Sequence, residues 1–334
     1  MLKGHQTWVF ETKPTIIASA AVGGPYEAKG PLASDFDLLH GDIRLGQDSF
    51  EKAEQKLQEQ ACETAIKKAN MKKEDVQFLL SGDLINQIVP SSFSARTLSV
   101  PFLGLYGACS TSMQGLSLAS LLVDSKFAKN ALVCVSSHNA ASEKQYRYPT
   151  EYGSQKPPTA QWTVTGSGAA LVSDQGEGPK VTASTIGRVI DMGLSDPFNM
   201  GAAMAPAAVD TLEAHFRDLD RDPSYYDLIA TGDLGRVGHR IAGDLLKKHG
   251  LNIPEEIFTD CGILIYNKDQ PVVMAGGSGC GCAAVTTFGH FLNRMRKGEL
   301  RKILVIATGA LLSPMSYQQK ESIPSVAHAV CIEI

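Results

Sequence analysis

A cysteine at the start of a helix-forming stretch is the residue best placed to do chemistry. It lies in the run GACSTS at residues 107–112, after which Ala, Leu and Ser predominate. A thiol at such a strand-to-helix turn lies near free backbone N–H groups and the positive end of the helix dipole, and both favour the thiolate. We therefore expect Cys109 to lie in a pocket with a pKa below the usual value. A small buried thiol without a chemical role is the alternative.

A glycine-rich run with two cysteines, GGSGCGC at residues 276–282, is the second candidate. It lacks the third glycine and the downstream acidic residue of a dinucleotide-binding loop. The run therefore predicts a tight turn whose backbone N–H groups face a ligand. Cys280 and Cys282 have neither a second cysteine pair nor a His-x-x-x-His pattern beside them, so we predict no metal site.

Polar residues follow a predicted strand at residues 132–135. Ser136, Ser137 and His138 come directly after this apolar run. Ligands of α/β sheets gather beyond the carboxyl ends of the strands. We therefore predict that Ser136 and His138 lie in a pocket wall, with a surface histidine that has no role as the alternative.

The elements around these residues occur twice in the same order. A helix predicted at residues 48–70, with Asp48 as its cap, leads to a strand at 76–80 that ends in Ser-Gly-Asp. A helical pattern at 208–216 leads to a strand at 227–230 that ends in Thr-Gly-Asp. A second matched pair joins the helices predicted at 109–126 and 282–298 to the strands predicted at 130–135 and 302–307. This repetition predicts an internal duplication into α/β halves at 1–178 and 179–334, joined at the linker GEGP.

Composition excludes several classes of protein. The 334 residues carry 31 basic and 35 acidic side chains, so no basic excess exists to bind nucleic acid. No apolar run approaches the roughly 20 residues that span a bilayer, and the first residues lack the order of a signal peptide. Seven cysteines in a chain of this size predict buried free thiols. We expect a soluble chain without a transmembrane segment.

Three motifs resemble the thiolase superfamily, which includes thiolases and ketoacyl synthases. They are the GACSTS turn, the run SARTL at residues 94–98 and the run TGSGAA at residues 165–170. The resemblance extends from about residue 14 to the C-terminus. It implies a duplicated, five-layered α/β fold. It also implies a homodimer that pairs through a central strand, here residues 103–106.

The same resemblance implies a histidine and an asparagine that polarise the acyl carbonyl in ketoacyl synthases. Asp233 stands where the histidine is expected, and Ser278 stands where the asparagine is expected. His239 follows six residues after Asp233. A carboxylate opposes an enolate, so we predict a fold kept for binding rather than for condensation. An acyltransferase or condensing enzyme that uses Cys109 is the alternative.

Within the superfamily, the chain is similar to the stage V sporulation protein AD family. That resemblance implies binding of dipicolinic acid and its uptake into the developing spore. It also implies that the protein acts together with membrane proteins of the same operon and associates peripherally with the spore inner membrane. A scaffold that docks on those proteins and binds no small molecule is a further alternative.

Dipicolinate is a planar dianion, so a site for it needs hydroxyl groups, backbone N–H groups and arginines. Calcium carried in with the ligand would screen its carboxylates. The basic residues nearest the expected mouth are Arg147, Arg236, His239 and Arg240. The predicted ligand-binding residues are Cys109, Ser136, His138, Asp233, Arg236, His239 and Ser278.

Overall fold

Strands and helices alternate through residues 1–146 and 156–334, which are the residues that the computed structural model describes. The strands are β1 (Leu2–Lys3), β2 (Thr7–Val9), β3 (Thr15–Gly23), β4 (Leu38–Leu39), β5 (Phe78–Gly82), β6 (Phe102–Gly104), β7 (Asn130–Ser137), β8 (Trp162–Thr163), β9 (Gly166–Ser173), β10 (Lys180–Ile186), β11 (Leu228–Thr231), β12 (Phe258–Asp260), β13 (Gly277–Ser278), β14 (Lys302–Ala310) and β15 (Ser325–Glu333). The helices are α1 (Phe50–Lys68), α2 (Val89–Leu98), α3 (Thr111–Asp124), α4 (Asn139–Tyr146), α5 (Met200–Leu219), α6 (Gly235–Lys248), α7 (Cys261–Leu264), α8 (Cys280–Val285), α9 (Leu292–Arg296) and α10 (Pro314–Gln318). A π-helical turn, Thr286–Phe291, joins α8 to α9.

Two sets of five strands have the same order and the same directions. The first runs β3-β9-β7-β5-β6 and the second runs β10-β15-β14-β11-β12. In each set the first three strands are antiparallel neighbours and the last three are parallel. The predicted strands at 76–80 and 227–230 become β5 and β11, and those at 130–135 and 302–307 become β7 and β14. The predicted division between residues 178 and 179 falls in the turn between β9 and β10.

Helices lie on both sides of each set of strands, which gives five layers. Helix α1 packs against β3 and β9 on one outer side, and α5 packs against β14 and β15 on the other. Helices α3 and α8 lie between the sheets, where α3 contacts β7 as well as β14. A helix covered on nearly all sides needs apolar and small residues around its circumference, which explains the Ala, Leu and Ser content of α3. The predicted duplicated, five-layered α/β fold is confirmed.

The cap of α1 differs from the prediction. The Ser49 side chain, not that of Asp48, accepts a hydrogen bond from the Lys52 backbone N–H over 3.2 Å. Asp48 precedes the cap and forms an exposed ion pair with the Lys52 side chain. Both residue types cap helices well, so the sequence alone does not choose between neighbours.

The functional region lies where the carboxyl ends of the parallel strands meet between the two sets. The turn at residues 107–110 comes within contact of the end of β14 because residue 309 is a glycine. A Cβ atom at Gly309 would lie 2.2 Å from the Gly107 carbonyl oxygen, closer than van der Waals packing allows. Short strands β8 and β13 pair beside this point and connect the two halves.

Strand β6 lies at one edge of the sheet, and β12 lies at the other. The strand predicted at residues 103–106 is therefore present as β6, shifted by one residue at its start. In the described ranges, no helix is both long enough and apolar enough to cross a bilayer.

Candidate functional site

Cys109 lies on a turn whose backbone has an unusual conformation. Ala108, directly before it, has a φ of +48°, in the left-handed region that residues with a Cβ atom rarely adopt. Two side-chain hydrogen bonds hold the turn in this shape. Ser110 Oγ donates to the Gly107 carbonyl oxygen, and Thr111 Oγ1 donates to that of Ala108, each over 2.6 Å. The turn is therefore built to present the Cys109 side chain at a fixed place.

Asp233 lies against Cys109 and is completely buried, with 0% of its surface exposed. The Cys109 thiol lies beside the Asp233 carboxyl group, close enough for each group to shift the pKa of the other. Thr308 Oγ1 donates to Oδ1 over 2.8 Å. The Gly279 backbone N–H and the Ser278 hydroxyl donate to Oδ2 over 2.9 Å and 3.2 Å. The structure thus brings Cys109, Asp233 and Ser278 together around one carboxyl group.

The Cys109 thiol is not activated as a nucleophile. The pKa of Cys109 lies well above the usual value because of the adjacent Cys280 thiol, burial and the nearby Asp233 carboxyl group. The expected lowering of this pKa is wrong. The free N–H groups of the helix start do not outweigh burial and a neighbouring acid.

Burial also changes the acid itself. It raises the pKa of Asp233 to about 7, although the adjacent Cys109 thiol and the hydrogen bonds from Gly279 and Thr308 favour the charged form. The carboxyl group therefore changes its charge close to neutral pH.

The glycine-rich turn faces this carboxyl group. Gly279 has a φ of +99°, and a Cβ atom there would lie 2.7 Å from Ser137 Oγ. This conformation aims the Gly279 N–H at Asp233. We had expected the N–H groups of the turn to face a ligand, and at Gly279 the acceptor is a side chain of the protein.

A narrow cavity of about 50 Å³ opens beside Cys109. Residues from both halves line it: Leu84, Tyr106, Cys109, Ser142, Tyr146, Thr163, Met200, Ser278, Ala310 and Leu312. Hydroxyl groups and apolar side chains share the wall. No lysine, arginine or histidine is among these lining residues of the described ranges. The phenol of Tyr146 donates to the Leu84 carbonyl oxygen over 2.7 Å.

Ser136 is placed in the interior and not in this wall. Its hydroxyl accepts from Gln58 Nε2 over 2.6 Å and donates to Glu54 Oε1 over 2.9 Å. Glu54 is itself buried, and its pKa is raised by burial and by the charge of Asp83. The prediction that Ser136 lines the pocket is wrong because its side chain points to the α1 side of the sheet.

His138 is also outside the cavity and is completely buried. Its Nδ1 accepts from the Ala141 backbone N–H over 3.3 Å, so Nε2 carries the proton and donates to the Ile43 carbonyl oxygen over 2.8 Å. Burial lowers the pKa of this imidazole. Both interpretations of His138, as a pocket residue and as a surface histidine, are wrong. Its buried side chain connects the loop around Ile43 to α4 by hydrogen bonds.

The basic residues of α6 do not line the cavity beside Cys109. Arg236 Nη1 donates to the Met274 carbonyl oxygen over 2.7 Å and does not line the cavity. His239 and Arg240 line a different cavity, of about 370 Å³, between α6 and the segment leading to β12. The ring of His239 packs 4.2 Å from that of Phe258. The placement of Arg236 and His239 with Cys109 is therefore wrong, and Arg147 lies outside the described residues.

Sequence reasoning missed several residues of the site. Thr308 directly follows the strand predicted at 302–307, so the rule that ligands gather at strand ends would have found it. Cys280 was considered for metal binding, yet its thiol donates to the Ala108 carbonyl oxygen over 2.9 Å. The described ranges contain no group of three or more His, Cys, Asp or Glu side chains placed to hold a metal ion.

The family model for stage V sporulation protein AD matches residues 4–333 of this chain. The chain belongs to the stage V sporulation protein AD family. The stage V sporulation protein AD of Bacillus subtilis (strain 168) is 51% identical over 332 residues, which cover 99% of this chain and 98% of that protein. This is therefore a sporulation protein.

Solved structures share the fold at low sequence identity. The 3-oxoacyl-[acyl-carrier-protein] synthase III of Aquifex aeolicus VF5 has a TM-score of 0.59 and 15% identity, covering 96% of this chain and 100% of that chain. A variant of the OleA protein of Xanthomonas campestris has a TM-score of 0.62 and 14% identity, covering 99% of this chain and 100% of that chain. At this identity the likeness shows a thiolase-like fold and nothing about activity.

Proposed function

We propose that this protein is a non-catalytic member of the thiolase-like fold that binds dipicolinic acid in the cavity beside Cys109. In the sporulating cell it would support uptake of that acid into the developing spore. One observation carries the non-catalytic part. The buried Asp233 carboxyl group occupies the hydrogen-bond donors that an acyl-transfer reaction would need.

The nucleophile is the first requirement that the site fails to meet. A condensing cysteine must act as a thiolate, and a neighbouring base or positive charge usually stabilises that form. Here the nearest ionisable side chains are an acid and a second thiol, and the pKa of Cys109 is raised. The neighbouring Cys280 thiol, burial and the Asp233 carboxyl group all favour the protonated thiol of Cys109.

Stabilisation of the acyl oxygen is the second missing requirement. An oxyanion needs donors that are free in the ground state. The Ser278 hydroxyl, the Gly279 N–H and the Thr308 hydroxyl all donate to Asp233 instead. An ionised Asp233 would in addition repel a developing enolate.

The cavity wall suits a planar acid better than it suits catalysis. Leu84, Met200 and Leu312 supply apolar surface for a ring, while Tyr106 and Thr163 supply hydroxyl groups. A protonated Asp233 would not repel a carboxylate, and calcium carried in with the ligand would screen its charge. Titration with and without calcium distinguishes binding that depends on a protonated Asp233 from binding that depends on calcium.

Partners follow from the family and from the surface. We propose that the protein works with membrane proteins of the same operon and associates peripherally with the spore inner membrane. We also propose a homodimer in which β6 pairs with its copy across a two-fold axis. Leu103 in β6 is 42% exposed and Tyr106 is 47% exposed, so pairing would cover both an open strand edge and apolar surface.

Isothermal titration with dipicolinate tests the proposed site. Ala310→Leu fills the cavity and should abolish binding, whereas Arg240→Ala, in the other cavity, should not change the affinity. Thr163→Val removes a lining hydroxyl without changing its shape, and it replaces Ala310→Leu if that variant unfolds. Cys109→Ala should cost only about 1 kcal/mol of binding, as for one weak contact. Full affinity in both cavity variants would place the ligand elsewhere.

Acyl transfer by Cys109 is the second candidate function. The strained turn at Ala108 favours it, because the structure still presents a thiol to a cavity at a helix start. We expect no condensation from acetyl- or malonyl-thioesters above the background of Cys109→Ser. We also expect no adduct on Cys109 by intact-protein mass spectrometry. Turnover above that background would favour the enzyme over the binding protein.

A further inference from the structure

Ser142, on α4, is a cavity residue that the proposed site does not yet use. It lines the cavity beside Cys109 and is 5% exposed. Its Oγ is shielded from solvent and has no hydrogen-bond partner among the residues that the structure describes. Tyr146, one turn later on α4, lies on the same helix face and lines the same cavity.

Two other hydroxyl groups that line the cavity have acceptors within the protein. Ser278 donates to Asp233, and Tyr146 donates to the Leu84 carbonyl oxygen. A buried hydroxyl group without a partner is costly and needs an explanation. A ligand in the cavity that carried an acceptor atom would supply the missing partner.

We infer that Ser142 is a ligand-binding residue and that its hydroxyl donates a hydrogen bond to a carboxylate of an aromatic dicarboxylate bound in this cavity. This inference rests on the proposed function, and it specifies which part of the ligand the cavity recognises. A carboxylate presents more acceptor positions than a ring nitrogen does. A hydrogen bond to a charged oxygen is also stronger than one to a neutral atom.

The test compares Ser142→Ala with a matched control. Ser120→Ala removes a hydroxyl that is also buried and unpartnered, but it lies on α3 and does not line the cavity. We expect Ser142→Ala to weaken dipicolinate binding about tenfold. Isophthalate has the same two carboxylates without the ring nitrogen, so its affinity should fall by the same factor. Ser120→Ala should bind both ligands as the unchanged protein does, and neither variant should melt at a different temperature.

The outcomes separate this inference from the proposed function. Unchanged affinity for both ligands in Ser142→Ala would overturn the inference and leave dipicolinate binding intact. A loss for dipicolinate alone, or rejection of isophthalate by the unchanged protein, would assign the ring nitrogen as the recognised acceptor and overturn the carboxylate assignment. If the unchanged protein bound no dipicolinate, the proposed function itself would fail.

Discussion

The buried carboxyl group of Asp233 lies beside the Cys109 thiol and raises the pKa of that thiol. This pairing reverses the arrangement in which a positively charged side chain stabilises a thiolate. It joins the turn before α3 in the first half to the end of β11 in the second half. The inherited cysteine therefore lies beside an acid in place of a basic group.

Removal of the Asp233 charge should make Cys109 more reactive. Asp233→Asn keeps the shape of the side chain but removes a charge that raises the pKa of Cys109. We expect alkylation of Cys109 by iodoacetamide at pH 8 to be severalfold faster, because a lower pKa leaves a larger share of the thiol as the reactive thiolate. Peptide mapping identifies the labelled residue, and Asp233→Asn/Cys109→Ala provides the background. Equal rates in Asp233→Asn and the unchanged protein would show that the acid does not control the thiol.

The stability of the protein should fall as the pH rises through the range in which Asp233 ionises. Its pKa is raised by burial to about 7, whereas an aspartate in an unfolded chain ionises near pH 4. Between these values the folded state binds more protons than the unfolded state, so the free energy of unfolding decreases with rising pH. The contribution of Asp233 is up to about 4 kcal/mol between pH 4 and pH 7.

Urea unfolding of Asp233→Asn from pH 4.5 to pH 7.5 measures this contribution. Between pH 6 and pH 7, the free energy of unfolding should decrease less in the variant than in the unchanged protein. Asp83→Asn is a matched control, because Asp83 is also buried and burial raises its pKa to about 6. Asp83→Asn should keep the decrease in the free energy of unfolding between pH 6 and pH 7. An undiminished slope in Asp233→Asn would contradict the assignment.

His138 should matter for stability and not for binding. His138→Ala removes two buried hydrogen bonds, to Ile43 and Ala141, and should lower the free energy of unfolding by about 1–3 kcal/mol. His239→Ala is the comparison, because His239 is half-buried and its Nε2 has no partner, so the loss should be smaller. Chemical denaturation and dipicolinate titration of both variants provide the measurements. Weaker binding of dipicolinate by a fully stable His138→Ala protein would show that His138 belongs to the ligand site.

A charge on the edge strand β6 should dissociate the proposed dimer. Leu103→Lys places an ammonium group at the paired edge, where burial of an unpaired charge is costly. Sedimentation should then give the mass of one chain at micromolar concentration, with dimers for the unchanged protein. Phe127→Lys changes a side chain that is 76% exposed but lies away from β6, so it should not affect the mass. A monomeric unchanged protein would refute the dimer.

Local sequence patterns determined the fold class because each pattern records which face of an element is buried. Apolar runs of strand length predicted β5, β7, β11 and β14, and their repetition predicted two equivalent halves. The Ala, Leu and Ser residues after Cys109 predicted a helix, which the structure contains as α3. Glycine at 279 indicated a turn that only a residue without a Cβ atom can adopt at this packing.

The sequence could not place side chains of separate elements against one another, because contacts between residues dozens of positions apart leave no local pattern. It identified Asp233 and Ser278 through motif order, yet only the packing of β11 against β14 brought Thr308 to the same carboxyl group. Strand-end position suggested a pocket for Ser136 and His138, and side-chain direction decided otherwise. The pKa of Cys109 depends on burial and on which acid lies beside it, and both are properties of the folded chain.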